Sequence, residues 1–261
     1  MNIDRDYLPL QSGIIYGPVA SRRLGPSLGI NLLPFDYKLC TYNCVYCQYG
    51  PTKLCGYTSV PRNSERLPSP TDVEESLRSV LELYPDVNYI TFSGNGEATL
   101  HPKFANIVDR VMMVRDKLSP RAKVAILSNS GSIADPGIRQ ALMQLDRPIM
   151  KLDAGTSRIF QHVNQPHPEI RFDDVTKALI DFEHPNLTIQ SIFFSGKPDN
   201  ISDESMKAWA EMIGKIRPHE VQMYTVQRPP AESGVYTVAE SILSKMAEKA
   251  EMISGVPIRV Y

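Results

Sequence analysis

Three of the four cysteines fall in one short run, Cys40-Thr41-Tyr42-Asn43-Cys44-Val45-Tyr46-Cys47, with three residues between the first two and two between the last two. Thiolates this close on a loop converge on one soft metal centre. Two kinds of centre compete for them. A structural zinc site closes with four ligands, usually as two separate pairs. An iron–sulfur cube held by three protein thiolates keeps one iron open, and a catalytic centre needs an open position. Cys55 is the fourth cysteine; as a fourth ligand it makes a zinc module or a closed electron carrier. Its other readings are a substrate-side thiol, a hydrogen donor and loop filler.

The remaining candidates are polar residues at the ends of strand-like runs. Ser93-Gly94-Asn95-Gly96-Glu97 follows one such run. Glycines let the backbone approach a ligand closely and take positive φ, and Glu97 offers a carboxylate to an ammonium group. The same residues also suit an ordinary strand-to-helix turn with a solvated glutamate. Lys151 and Asp153 end another run, where a lysine's charge must be paired or hydrated; they read as a ligand site or as a structural ion pair. Gln190 follows the alternation of a later strand toward a ligand, and Tyr224 and Thr225 end the next strand, where substrate contacts are expected. Tyr224 and Cys55 are the candidates for direct chemistry. Arg22 and Arg23 read equally as a clamp for a carboxylate or phosphate and as a solvated pair. His162, His167, His184 and His219 lack metal-ligand spacing, and His101, before Pro102 and after the Glu97 turn, reads as shaping its loop. Trp209 and the methionines near it read as core.

These residues need a frame. Strand-like runs at 28–33, 87–92, 123–127, 148–152, 187–194, 221–226 and 257–261 alternate with helical patterns at 71–84, 104–118, 136–144, 173–182, 202–216 and 237–253. Thr71 with Glu74, and Thr237 with Glu240, have capping-box spacing. Strands separated by helices build parallel βαβ units. Six such units predict an α/β fold, a partial (β/α)6 TIM-type barrel with parallel strands. It forms a single domain over residues 28–261, with residues 1–27 as an N-terminal extension. A doubly wound open sheet is the competing architecture. In either, functional residues gather at the C-terminal ends of the strands.

An apolar share of 42% and a charged share of 22% exclude the disordered and fibrous classes. The formal charge of −1 lacks the basic footprint of a dedicated nucleic-acid binder. No run of about 18 apolar residues predicts a membrane span. The N-terminus carries Asp4, Arg5 and Asp6 where a secretory signal would be apolar, so a cytoplasmic location is expected. In that reducing compartment the clustered cysteines read as a metal or redox site, not a disulfide framework.

The run Cys40–Cys47 resembles the C-x3-C-x-φ-C motif of the radical S-adenosylmethionine (radical SAM) superfamily, with Tyr46 as the aromatic φ. The resemblance implies that Cys40, Cys44 and Cys47 hold three irons of a [4Fe–4S] cluster. The methionyl amine and carboxylate of S-adenosylmethionine then take the fourth, and Tyr46 lies near the adenine. Gly94, Gly96 and Glu97 are similar to the superfamily's glycine-glycine-glutamate motif for the methionyl amine, with Asn95 as a departure between the glycines. Ser128, Asn129, Lys151 and Asp153 stand where the family's strand ends touch ribose or carboxylate, and Ser195-Gly196 suits an adenine-side turn. The implied reaction is reductive cleavage to a 5′-deoxyadenosyl radical that abstracts hydrogen. The electron comes from a flavodoxin- or ferredoxin-like donor.

Further segments, Tyr16–Gly25, Ser27–Ile30, Gly94–Pro102, Lys151–Gly155 and Arg228–Glu232, are similar to short radical SAM proteins grouped near the wyosine tRNA-modifying synthases. Those synthases carry cysteines upstream for a second cluster, whereas this sequence has none before Cys40. No separate accessory domain is expected after the sixth unit. The expected substrate is therefore a small molecule or peptide, with a tRNA base as the alternative. A closed electron carrier or a zinc module remains the reading from another class.

Overall fold

The computed structural model describes residues 7–52 and 67–261. Its frame is one eight-stranded sheet, in the order β1 (Ile15–Ser21), β2 (Gly25–Ile30), β3 (Tyr89–Phe92), β4 (Lys123–Ser128), β5 (Arg147–Lys151), β6 (Thr188–Phe193), β8 (Glu220–Thr225) and β10 (Ile258–Val260). From β2 to β10 every neighbouring pair is parallel. β1 lies antiparallel along the edge of β2. The segment expected to be an extension thus supplies a strand of the sheet, and β2 starts inside it.

Helices follow the strands as βαβ units require. They are α1 (Pro70–Leu83), α2 (Phe104–Leu118), α3 (Pro136–Leu142), α4 (Ser157–Val163), α5 (Phe172–Ile180), α6 (Asp203–Ile216) and α7 (Glu240–Ser254). A small pair, β7 (Ser195–Gly196) with β9 (Val235–Tyr236), stands apart from the main sheet. Neither α4 nor this pair was expected from periodicity.

The two faces of the sheet differ in chemistry. Leu28, Ile90, Val124, Met150, Ile189 and Val221 lie on one face by strand register and join the main core cluster. Against them pack Val73, Leu77 and Leu81 of α1 and Trp209 and Ile213 of α6. Fully burying one such side chain contributes about 1.5–3 kcal/mol. The other face carries Thr91, Arg147, Thr188, Gln190, Glu220 and Gln222. Arg147 on β5 donates to Tyr89 Oη on β3 at 3.5 Å, passing over β4. The sheet is therefore bent around its polar face. In the turn between β1 and β2, Arg22 donates to Gln227, and the Arg23 guanidinium lies 4.8 Å above the Tyr224 ring. The first strand and the seventh in sheet order thus meet across the opening, as in a partial barrel.

Two helix starts differ from expectation. The capping box of α1 is Ser69 with Asp72, not Thr71 with Glu74. Pro70 at the first helical position, with its φ already helical, sets the cap at Ser69, two residues earlier than expected. The N-cap of α7 is Ala239, with no side-chain cap bond; Thr237 instead donates to the Val226 carbonyl at 2.7 Å.

Candidate active site

The loop after β2 crosses the C-terminal end of the strands, where it meets the turn after β3. Leu39 N–H donates to the Asn95 carbonyl and Glu97 N–H to the Leu39 carbonyl, each at 3.0 Å. Gly96 has φ +138°, and a Cβ there would collide with the Leu39 carbonyl oxygen. Glycine is required at this position because the residue before Cys40 lies against it. Further along, Asn43 and Val45 donate from their backbones to Gln165 and Val163 at 3.1 Å, so the end of α4 fixes the far side of the loop.

Cys40, Cys44 and Cys47 are free, half-buried thiols. Each sulfur faces a nitrogen donor: Asn129 Nδ2 to Cys40 at 3.5 Å, Asn164 Nδ2 to Cys44 at 3.5 Å, and Lys38 Nζ to Cys47 at 3.2 Å. Burial pushes the Cys40 thiol far above its ordinary value, and the neighbouring Cys44 and Glu97 add to the effect. Burial and then Asp153 push Cys44 up to about 11, against bonds from Tyr46 and Asn164. Such thiols stay protonated until a cation takes the proton's place. Among the described residues no three Cys, His, Asp or Glu side chains converge as around a single ion.

Glu97 is 1% exposed. Its Oε1 accepts from Thr99 N at 3.1 Å, Thr99 Oγ1 at 2.7 Å and Ser128 Oγ at 3.0 Å, and its Oε2 accepts from Asn129 N at 2.6 Å. Burial pushes its carboxyl above the ordinary range, while these bonds pull the other way. No cation among the described residues pairs with it. Asn129 links this carboxylate to the cysteine loop, since its Nδ2 also reaches Thr41 Oγ1 at 2.9 Å.

A second buried group stands at the ends of β5 and β8. Asp153 accepts from Tyr46 Oη, from Asn164 Nδ2 at 2.8 Å and from Ile192 N at 2.9 Å, and its Oδ1 lies 3.1 Å from Lys151 Nζ. Lys151 also donates to Tyr224 Oη at 2.8 Å and lies about 5 Å from the ring centroids of Tyr46 (5.1 Å) and Tyr224 (5.0 Å). Burial pulls the Lys151 ammonium down, but Asp153 and Tyr224 outweigh it and hold it above its ordinary value. Burial and the Asp153 charge likewise hold the Tyr46 phenol well above its ordinary range.

The structure therefore gathers Cys40, Cys44, Cys47, Tyr46, Glu97, Ser128, Asn129, Lys151, Asp153 and Tyr224 at one end of the barrel. Asn95 is fully buried and spends its side chain on Gln11 and on the Pro34 carbonyl at 2.8 Å. Gln190 donates to Gln222 at 3.2 Å inside the barrel. Ser195 pairs with Tyr236 in the small sheet. Cys55 lies outside the described residues. Lys38 and Asn164, which no motif marked, stand against the sulfurs. His101 bonds the Pro68 carbonyl at 3.0 Å and Lys103 N at 3.1 Å, shaping its loop.

The residues fit a thiolate cluster with an amino-acid ligand. Glu97 is a buried carboxylate without a cation among the described residues, suited to an ammonium group. Lys38 is a buried ammonium that pairs with no carboxylate among the described residues, suited to a thiolate. Asn164 Oδ1, beside Cys44, is a buried acceptor without a partner among them.

Comparison with known proteins agrees with the geometry. The family profile described as Radical SAM superfamily matches residues 36–210. A UPF0026 protein of Methanocaldococcus jannaschii is 30% identical over 239 residues, covering 89% of this chain and 70% of that protein. A Brachyspira hyodysenteriae protein named GTPase Obg is 29% identical over 266 residues, covering 100% of this chain but 37% of its own length. This chain has no G-x4-G-K-[ST] phosphate loop. Among solved structures, a radical SAM methyltransferase from Sphaerobacter thermophilus superposes with a TM-score of 0.65 at 13% identity, covering 90% of this chain and 65% of that one. A structure described as TYW1 with a lysine-pyruvate adduct bound gives 0.61 at 12%, covering 87% and 74%. Streptococcus suis SuiB bound to S-adenosylmethionine gives 0.58 at 14%, covering 88% and 51%. At these identities the likeness is one of fold. No described helix is long and apolar enough to cross a membrane. With the profile matching most of the chain over a partial barrel of this topology, the chain belongs to the radical SAM superfamily and is an enzyme of that class.

Proposed function

We propose that Cys40, Cys44 and Cys47 hold a [4Fe–4S] cluster whose open iron takes S-adenosylmethionine, and that the substrate is a small molecule or peptide. One observation carries this reading: two buried charges without an oppositely charged side chain among the described residues, Glu97 and Lys38, stand at the same end of the barrel as three thiols. When bound, the two cofactors supply one electron to the sulfonium and a 5′-deoxyadenosyl radical that abstracts hydrogen.

The chain's own work is to hold and orient. Glu97, fixed by Thr99, Ser128 and the Asn129 N–H, receives the methionyl ammonium. Tyr46, held by Asp153 and packed at 5.8 Å against Phe194, presents its ring on the adenine side with the turn at Ser195, while Gly94 and Gly96 stand with Glu97 at the methionyl end. Lys151 offers a positive edge to the cofactor carboxylate. Tyr224 and Arg23 stand at the opening between β1 and β8, where substrate enters. A flavodoxin- or ferredoxin-like protein delivers the electron. The formal charge of −1 favours a small molecule or peptide over tRNA, whose phosphates reward basic surfaces.

The test is anaerobic reconstitution with iron and sulfide, then reduction with dithionite and S-adenosylmethionine and assay for 5′-deoxyadenosine. Product from the native protein and none from the Cys40→Ala, Cys44→Ala or Cys47→Ala variants is expected, with Cys55→Ala keeping its cluster. Zinc in place of iron, or a cluster that Cys55→Ala abolishes, sinks the reading. Salt-sensitive binding of tRNA would move the substrate to the nucleic-acid alternative.

A further inference from the structure

Lys38 precedes the cluster motif by two residues and is 8% exposed. Its Nζ donates to Cys47 Sγ at 3.2 Å and to the Gly50 carbonyl. A buried ammonium is costly unless an opposite charge matches it, and a carbonyl dipole supplies a fraction of one. Among the described residues the anion at hand is the sulfur of Cys47 in its thiolate form. The other two sulfurs face neutral amides, Asn129 on Cys40 and Asn164 on Cys44, each at 3.5 Å. Cys47 therefore has the shorter contact and the one that carries a full charge.

We propose that Lys38 is a positioning residue that raises the reduction potential of the cluster by acting on Cys47. The inference rests on the reading that the three cysteines hold a [4Fe–4S] cluster. The step concerned takes one electron from the flavodoxin- or ferredoxin-like donor: [4Fe–4S]2+ + e− gives [4Fe–4S]1+. The donor is oxidised by one electron, no bond is made or broken, and no proton moves. The reduced cluster is more negative by one charge, so a fixed cation beside a ligating sulfur stabilises it more than the oxidised form. Hydrogen bonds to cluster sulfurs and the charge around them are established levers on such potentials. The bond from Lys38 to Gly50 holds the ammonium in place, because Gly50 N–H itself donates to the Cys47 carbonyl at 3.1 Å.

The experiment compares the reconstituted native protein with Lys38→Met, Lys38→Gln and Lys38→Arg. Iron and sulfide are counted first, and the cluster is then titrated against potential by electron paramagnetic resonance without S-adenosylmethionine. Lys38→Met is expected to be about tenfold harder to reduce, about 59 mV lower for a one-electron couple. Lys38→Gln, which keeps a donor but loses the charge, should fall with it, and Lys38→Arg should stay near the native value. A native midpoint in Lys38→Met, or in Lys38→Gln, overturns the inference. So does loss of the cluster from both neutral variants, which would make Lys38 an assembly residue. If one neutral variant loses its cluster, the other carries the comparison. A native protein without any cluster refutes the underlying reading instead, so the two failures are distinguishable.

Discussion

Glu97 and Asp153 are buried carboxylates a short distance apart in function, yet their partners differ. Asp153 is matched by Lys151, whereas Glu97 is surrounded by neutral donors. Removing one member of a buried pair strands the other, at about 3–5 kcal/mol. Asp153→Ala should therefore lower unfolding stability in urea by about that amount, and adding Lys151→Met should restore part of it; an unchanged midpoint in the single variant refutes the pairing. Glu97→Gln keeps shape and removes charge. A hydrogen bond to a charged group contributes about 1.5–3 kcal/mol, so calorimetry on the reconstituted variant should find S-adenosylmethionine bound about ten- to a hundredfold more weakly at normal iron content. Equal affinity would remove Glu97 from the cofactor site. Residue types and spacing made the three cysteines and Glu97 legible in the sequence. Lys38 and Asn164 were not, because their importance lies in what they touch: Asn164 meets a sulfur 120 positions away.

At the scale of elements, apolar periodicity marked the strands and the longer helices, since each must bury one face. It missed β1, whose burial is slight along Pro18, Val19 and Ala20; an edge strand has little apolar pattern to reveal it. The elements also explain a glycine. Gly96 joins the turn after β3 to the cysteine loop, with φ +138° and the Leu39 carbonyl where a side chain would begin. Gly96→Ala should push the loop from its place and lower iron uptake on reconstitution severalfold, while circular dichroism shows native helix content. Full iron uptake by that variant would mean that the contact with Leu39 does not position Cys40. The turn looked like a ligand cradle in the sequence; its second glycine serves the approach of protein to protein.

Across the whole molecule, stability is tied to acid through His101, which joins the turn after β3 to the residues leading into α1. As a neutral ring it can donate to the Pro68 carbonyl and accept from Lys103 N. Burial pulls its pKa down to about 4. As pH falls below about 6.5, the ordinary value, the unfolded chain binds this proton first. Stability is full above that value, declines through the window down to about 4, and loses in all about 3 kcal/mol. Urea midpoints between pH 7 and pH 4 should fall more steeply for the native chain than for His101→Gln, and identical slopes would contradict the assignment.

The chain's residue order determined its alternating elements, and hence parallel βαβ units that suit either a partial barrel or an open sheet, together with a loop rich in thiols after the first parallel strand. Both follow from local patterns, in which neighbours along the chain carry the information. Tertiary structure decided which charges meet: Asp153 with Lys151, Lys38 with Cys47, and Glu97 with no cation among the described residues. Burial and electrostatic pairing depend on distance through space, and that distance exists once the sheet has curled.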